Sequence, residues 1–249
     1  MSKLANKVAI VTGASKGIGA AIAKAYGKEG ASVVVNYSSD KAGAERVVAD
    51  IDKAGGKAIA VQANVAVAAD VKKLFAATKT AYNKLDILVN NAGVFKFEPL
   101  ETVTEEEFHR QFNTNVLGTI LATQEALQYF NGDGGSVINV GSVVSDNPLA
   151  NSVVYSATKG AVDTIAVALS KELGAKNVRV NTIAPGAVDT EGTQSVGIIG
   201  SDFEKQIVAS TPLGRIGQPD DIAKVAVFLG SSDAGWINGQ KVTVSGGQR

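Results

Sequence analysis

Val8-Ala9-Ile10-Val11-Thr12-Gly13-Ala14-Ser15-Lys16-Gly17-Ile18-Gly19 stands near the start of the chain. Val8–Val11 is short, apolar and β-branched, which predicts a buried strand, and a helical pattern follows from Ile18 to Lys28. The glycines between them permit a sharp turn and close backbone approach to a ligand. Amide groups at the start of the helix would favour a phosphate there. The spacing is Gly-x-x-x-Gly-x-Gly rather than Gly-x-Gly-x-x-Gly. Alone, the loop therefore also reads as a turn that packs helix on strand. Its place in the first βα unit favours a dinucleotide site, because such sheets bind dinucleotides there.

The same alternation continues outward. Ser32–Val35, Ala58–Val61, Ile87–Val89, Val137–Val140, Val178–Ile183 and Val242–Val244 read as further buried strands. Helical patterns lie between them over Ala42–Lys53, Ala69–Tyr82, Glu105–Tyr129, Ser156–Leu173 and Asp220–Leu229. Thr104 before three glutamates and Pro219 before Asp220-Asp221 are helix starts. The expectation is one α/β domain over 1–249, a doubly wound Rossmann-type parallel sheet of about seven strands with helices on both faces. The region 186–211 breaks the rhythm. Rich in Gly, Ser, Thr and Asp, with one short helical piece near Phe203–Val208, it reads as a substrate lid with Val188, Val196, Ile198 and Ile199 as apolar surface.

Composition removes several classes. The 249 residues carry 24 basic and 24 acidic side chains, which gives no electrostatic footprint for nucleic acid or acidic lipid. With no cysteine and a single histidine, His109, disulfides, thiolate metal sites and multi-histidine sites are excluded, and no metal is expected. The first residues, Met1 to Lys7, lack the apolar core of a signal peptide, and no run reaches the roughly 18 apolar residues of a membrane span. A cytoplasmic location with no membrane partner is the expectation.

Gly13-Ala14-Ser15-Lys16-Gly17 also matches Gly-x-Ser-x-Gly, the nucleophile elbow of α/β-hydrolases. That chemistry needs a histidine late in the chain, whereas His109 lies mid-chain in a helical pattern, so hydrolysis is the poorer reading. The second strand ends Val35-Asn36-Tyr37-Ser38-Ser39, without the acidic residue that binds the 2′-hydroxyl of NAD. Lys16, helped by Ser38 and Asn36, could instead meet a 2′-phosphate, which favours NADP(H) with NAD(H) as an alternative. Asp40 close by weakens that preference.

Tyr155 and Lys159 share one helix face at i and i+4. A phenol of pKa near 10 is a poor base. A cation ~4 Å away contributes about 4 kcal/mol at an effective dielectric near 20, enough to bring the phenol within reach of neutrality. Tyr37 and Lys41 repeat the spacing by chance, in a predicted loop. Tyr155 differs because Ser142 lies just beyond the strand Val137–Val140, at a carboxyl end that faces the ligand crevice.

On these residues the chain resembles the short-chain dehydrogenase/reductase family along nearly all its length. The matching motifs are Thr12 to Gly19, Asn90-Asn91-Ala92-Gly93, Asn115, Ser142, Tyr155 with Lys159, and Pro185-Gly186 with Thr190. The resemblance implies that Tyr155 is the acid/base and that Ser142 orients the carbonyl. It implies that Lys159 lowers the phenol's pKa and binds ribose, and that Asn115 supports a water-linked proton relay. For the cofactor it implies Gly13, Ser15, Lys16, Gly17, Ile18 and Gly19 at the glycine loop. Asn36, Tyr37 and Ser38 then lie by the ribose, with Asn64 and Val65 by the adenine. Asn90 to Gly93 line the adenosine side, and Pro185, Gly186, Val188 and Thr190 border the nicotinamide. Two positions depart from the commonest pattern: Asn64 stands where many members have Asp, and Gly141 where many have Ser or another small residue.

The activity implied is hydride transfer between NADP(H) and a carbonyl or secondary alcohol. The chain is similar to 3-oxoacyl-carrier-protein reductases and glucose 1-dehydrogenases. A carrier protein is acidic and would want a basic patch, yet the loop Tyr129–Gly135 has no basic residue, and neither has 186–204. A small neutral ketone is the better expectation. A cofactor-binding regulator without catalysis is the contrasting reading, against which Ser142, Tyr155 and Lys159 stand. The family's habit implies a homotetramer through the helices carrying Asn115 and Tyr155, where Gly160, Ala161, Ala166 and Ala168 would permit close contact or simply fill the core.

Overall fold

The computed structural model describes residues 2–130 and 132–248. Met1 and Asn131, which entered the readings of the amino terminus and of the loop before the fifth strand, lie outside them. Seven parallel strands form one sheet in the order β3-β2-β1-β4-β5-β6-β7. They are β1 (Val8–Val11), β2 (Ser32–Tyr37), β3 (Lys57–Gln62), β4 (Ile87–Asn90), β5 (Gly135–Val140), β6 (Val178–Pro185) and β7 (Lys241–Val244). The order reverses between β1 and β4, so the crevice at their carboxyl ends is the switch point where such sheets bind ligands.

Strand periodicity sends alternate residues to opposite faces. Val34, Ile10, Leu88, Val137 and Val180 pair in register across five strands, all without solvent exposure. They pack under α3 (Ala68–Tyr82), α5 (Gly118–Ala126) and α6 (Val153–Leu173), with Leu74, Phe75, Ala122 and Leu173 as partners. Ala9, Val11, Val33, Val35 and Ile138 face the other way, onto α1 (Gly17–Lys28), α2 (Lys41–Lys53) and α9 (Pro219–Gly230). Both faces are therefore dry, which is why these strands read as continuous apolar runs.

Several strands run past their apolar residues because the backbone ladder continues: Asn36 and Tyr37 extend β2, Asn90 extends β4, and Gly135 and Ser136 begin β5. The single helix expected over Glu105–Tyr129 is interrupted. α4 (Glu105–Phe112) passes into a π-helical turn at Asn113–Leu117 before α5. Thr104 caps α4 by accepting from the Glu107 amide at 3.2 Å, as its position predicts. Within 186–211 there are two helices rather than one short piece: α7 (Glu191–Ser195) and α8 (Asp202–Ser210). Reciprocal hydrogen bonds between Thr190 and Thr193 start α7, a Thr-x-x-Thr capping box that the spacing alone does not announce.

Candidate active site

The glycine loop is built by its neighbours. Gly13 has φ +60°, and a Cβ there would lie 2.8 Å from the Ala92 Cα, so the β1 and β4 loops touch only because the side chain is absent. The Asn91 amide donates to the carbonyls of Thr12 and Gly13 at 2.9 and 3.0 Å. Thr12 Oγ1 accepts from the amides of Asn91 and Ala92, both at 3.0 Å. Asn91 thus lines the cleft while its amide holds the loop in shape. Asn90, expected to line the cleft with its neighbours, does not: it is buried, donating to Thr123 Oγ1 and Asn139 Oδ1 at 3.1 and 3.0 Å.

The expected help of Asn36 at a 2′-phosphate is corrected by its surroundings. Its oxygen accepts from the Gly13 amide at 3.1 Å, and its amide donates to the carbonyls of Val61 and Ala63. At 1% exposure it stitches β1 to β3 and has no polar group left to offer. Asp40 is likewise occupied, capping α2 through the Gly43 amide at 2.9 Å. Lys16 and Ser38 remain exposed at the rim of the cleft. The residues expected by the adenine also line the cleft: Asn64 Oδ1 turns back to the Ala66 amide at 3.0 Å, and buried Val65 packs on Gly118.

At the other end of the cleft, β5 and α6 bring Ser142, Tyr155 and Lys159 together. Lys159 is buried and donates to the Val140 carbonyl at 2.8 Å, with its Nζ 5.6 Å from the centre of the Tyr155 ring. Burial lowers its ammonium to about 8, and the Asp163 carboxylate opposes that. The lowered phenol pKa expected from a neighbouring cation is not found. Although part of Tyr155 opens into the cleft, its buried setting pushes the phenol up to about 12, and the Ser142 hydroxyl acts in the opposite direction. Burial disfavours the charged phenolate and outweighs the Ser142 hydrogen bond, while the Lys159 ammonium is turned to the Val140 carbonyl. The phenol is therefore protonated at neutral pH, the form that donates.

Asn115 lies in the π-helical turn, a distortion frequent at functional sites. Its oxygen accepts from the Val94 amide at 2.8 Å, and its amide donates to the Val94 carbonyl and to Thr158 Oγ1 at 2.8 and 3.0 Å. The side chain thereby ties the loop after β4 to α6. Gly93 lies between: a Cβ there would be 3.4 Å from Asn115 Oδ1 and 3.8 Å from Lys159 Nζ.

The substrate end contains residues that the motifs do not mark. Phe95 and Phe97 flank Tyr155 with ring centres 5.7 and 6.0 Å away, and pack on each other at 5.6 Å. Both follow β4 at its carboxyl end, the signal by which they could have been found. Val143, Val144, Leu149, Ile198, Ile199 and Phe203 continue the apolar wall. Val188 is buried beneath it, whereas Val196, read as apolar lid surface, points outward at 51% exposure. Pro185, Gly186 and Thr190 line the cleft from the end of β6 onward. The whole cleft, from Lys16 to Phe203, encloses about 840 Å³, and its charged lining residues among those described are Lys16, Asp40 and Lys159.

A family model described as enoyl-(acyl carrier protein) reductase matches residues 13–249. An uncharacterized oxidoreductase of Methylorubrum extorquens is 56% identical over 249 residues, covering all of both chains. A probable tetrahydroxynaphthalene reductase of Zymoseptoria tritici is 37% identical, over 98% of this chain and 95% of the relative. The solved structure of a short chain dehydrogenase from Burkholderia cenocepacia in complex with NADP superposes with TM-score 0.93 at 33% identity, over 99% of each chain. The chain belongs to the short-chain dehydrogenase/reductase family.

This short-chain dehydrogenase/reductase is an NAD(P)-dependent oxidoreductase. The residues present fit the dinucleotide. The Gly13 turn leaves a bare backbone in the cleft wall, α1 begins there at Gly17 with amides suited to a phosphate, and the Lys16 side chain lines the same cleft. Among the described residues, no cluster of side chains suits a metal ion and no helix is long and apolar enough to cross a membrane.

Proposed function

We propose that the chain is an NADPH-dependent reductase of neutral ketones, with Tyr155 as the proton donor. One observation carries the reading: Tyr155 stands between Phe95 and Phe97 at an apolar wall, with Lys159 as its charged neighbour in the cleft among the described residues. A bound reduced nicotinamide supplies the hydride. Ser142 holds the substrate oxygen by a hydrogen bond, and Tyr155 gives it the proton as negative charge develops there. Lys159 steadies the phenolate left behind and meets the cofactor ribose. Asn115 holds Val94 and Thr158 in place around that pair. Lys16 and Ser38 receive the 2′-phosphate, and the segment 186–211 serves as the lid.

The wall favours a ketone carrying an aromatic or alicyclic ring over a sugar, whose hydroxyls would go unpaired against phenylalanines. A carrier-bound thioester is disfavoured because 186–204 offers no basic residue. Assembly as a homotetramer is supported by exposed Leu117 and Ile120 beside α5 and Val153 and Val167 on α6. Ala166, by contrast, belongs to the core. The test is NADPH oxidation against cyclic ketones, an acetoacetyl thioester and, in reverse, glucose, with Tyr155→Phe as control. Fast turnover of the cyclic ketones that Tyr155→Phe abolishes supports the reading. A strong preference for the thioester or glucose overturns the substrate class, and activity surviving Tyr155→Phe removes the proton donor.

A further inference from the structure

Lys241 begins β7, on the far side of Ser142 from the cofactor loop, and no motif marks it. Its ammonium makes three contacts: Ser145 Oγ at 2.8 Å, Asp146 Oδ2 at 2.6 Å and Asp163 Oδ2 at 2.8 Å. Ser145 and Asp146 belong to the short turn that Ser142 caps, and Ser145 Oγ also donates to the Ser142 carbonyl at 2.8 Å. Asp163 lies on α6, one turn beyond Lys159 on the face that carries Tyr155. One side chain therefore joins the strand edge, the serine turn and the catalytic helix.

Asp163 lies behind the reaction centre, outside the lining of the cleft. Its Oδ1 is buried without a hydrogen-bond partner, and a Cβ on Gly141 would stand 3.2 Å from it. Lys159 binds the carbonyl of the preceding residue, Val140. The two charges thus flank one peptide bond, and the bare Gly141 leaves Asp163 the room to approach. Lys241 is only 21% exposed, so its charge is poorly screened.

We propose that Lys241 and Asp163 are positioning residues for the reaction, clamping the Ser142 turn to the Tyr155 helix and setting the electrostatic field at Lys159. The inference rests on the proposed roles of Tyr155, Ser142 and Lys159. Among the described residues, the charged and titratable groups facing Lys159 are Tyr155 and Asp163 on its own helix; Lys241 on β7 is linked to it through Asp163, and Asp146 on the serine turn through Lys241. A change of field moves the proton affinities of Tyr155 and Lys159 in the same direction. Removing the Lys241 charge makes the surroundings more negative and holds protons more tightly. Removing the Asp163 charge does the reverse.

The experiment measures kcat for ketone reduction across pH, with NADPH affinity by fluorescence titration, for Lys241→Gln, Lys241→Arg and Asp163→Asn. The expected result is an alkaline limb moved upward by Lys241→Gln and downward by Asp163→Asn, each by about half a pH unit or more. At neutral pH kcat falls about ten-fold in Lys241→Gln, since a loosened serine turn misplaces the reacting groups. NADPH affinity stays within about two-fold, because the glycine loop lies elsewhere, and Lys241→Arg restores part of kcat. Limbs that stay put or move together overturn the inference. Should Lys241→Gln not fold, the direction of the Asp163→Asn limb decides. Tyr155→Phe in parallel keeps the two readings apart: its loss of activity alongside unmoved limbs sinks this inference alone.

Discussion

The Glu191 carboxylate accepts a hydrogen bond from the Gly17 amide at 2.9 Å, joining the first residue of α7 to the first residue of α1. That amide belongs to the helix start whose partial positive charge attracts a diphosphate. A carboxylate and a diphosphate drawn to one helix terminus repel each other. Glu191→Gln keeps the shape and removes the charge, so NADPH should bind about three- to ten-fold more tightly, measured by quenching of protein fluorescence. Weaker binding would show instead that the side chain straps the cofactor in place.

Next to the Gly17 amide in the chain, Lys16 is exposed, as is Ser38 beyond β2, while Asn36 and Asp40 are committed to backbone groups. Lys16→Ala should raise KM for NADPH about ten-fold and leave KM for NADH nearly unchanged, because only the former carries the 2′-phosphate. Ser38→Asp adds a carboxylate at the end of β2 and should reverse the preference. Asn36→Ala should lower stability without altering the ratio of the two cofactors. Equal effects of Lys16→Ala on both cofactors would place the phosphate elsewhere.

The contrast among these four side chains shows how far local pattern carries. The sheet was legible because β-branched runs such as Val33–Val35 and Val8–Val11 are buried on both faces and leave an uninterrupted apolar trace. Glycine loop, Ser142, Tyr155 and Lys159 were legible because each stands at a strand end or a helical spacing. What Asn36 does was not, since three of its four backbone partners come from loops and strands distant in sequence. The same holds for Lys241, whose significance arises only once β5, β6 and β7 lie together in the sheet, whereas Phe95 and Phe97 carried a signal in their place just after β4. The expected fall in the Tyr155 pKa failed for a related reason: spacing places a cation nearby but says nothing of desolvation or of the Val140 carbonyl that holds it.

Burial lowers Lys159 from 10.5 to about 8, while Tyr155 remains protonated up to about 12. The ammonium is present below its pKa and lost above it. Reduction should therefore be fastest at and below neutrality and decline as pH rises through about 8, seen in kcat at saturating substrate. Stability runs the other way. Between about 8 and 10.5 the unfolded lysine holds a proton that the folded one has released, so this group's contribution to stability rises with pH across that window. Urea midpoints at both ends of it, compared between wild type and Lys159→Met, should show a gain in the wild type alone. A difference that is flat or falls with pH would mean that the amine is not desolvated.

Phe97 meets the Tyr155 ring nearly edge-on, at 85° and 6.0 Å, and is itself 38% exposed toward the cleft. It thus combines support of the proton donor with contact to whatever lies beside it. Phe97→Ala removes aromatic surface that a ring-bearing substrate would cover, worth about 1–3 kcal/mol of binding and so about ten-fold or more in KM. A small acyclic ketone covers less of that surface, and its KM should change less. Because Phe95 still flanks Tyr155 at 5.7 Å, kcat on either substrate should fall less than three-fold, roughly the effect of losing one exposed aromatic contact. Steady-state kinetics on one cyclic and one acyclic ketone separate the two contributions. A uniform loss of kcat on both would assign Phe97 to holding Tyr155 rather than to the substrate.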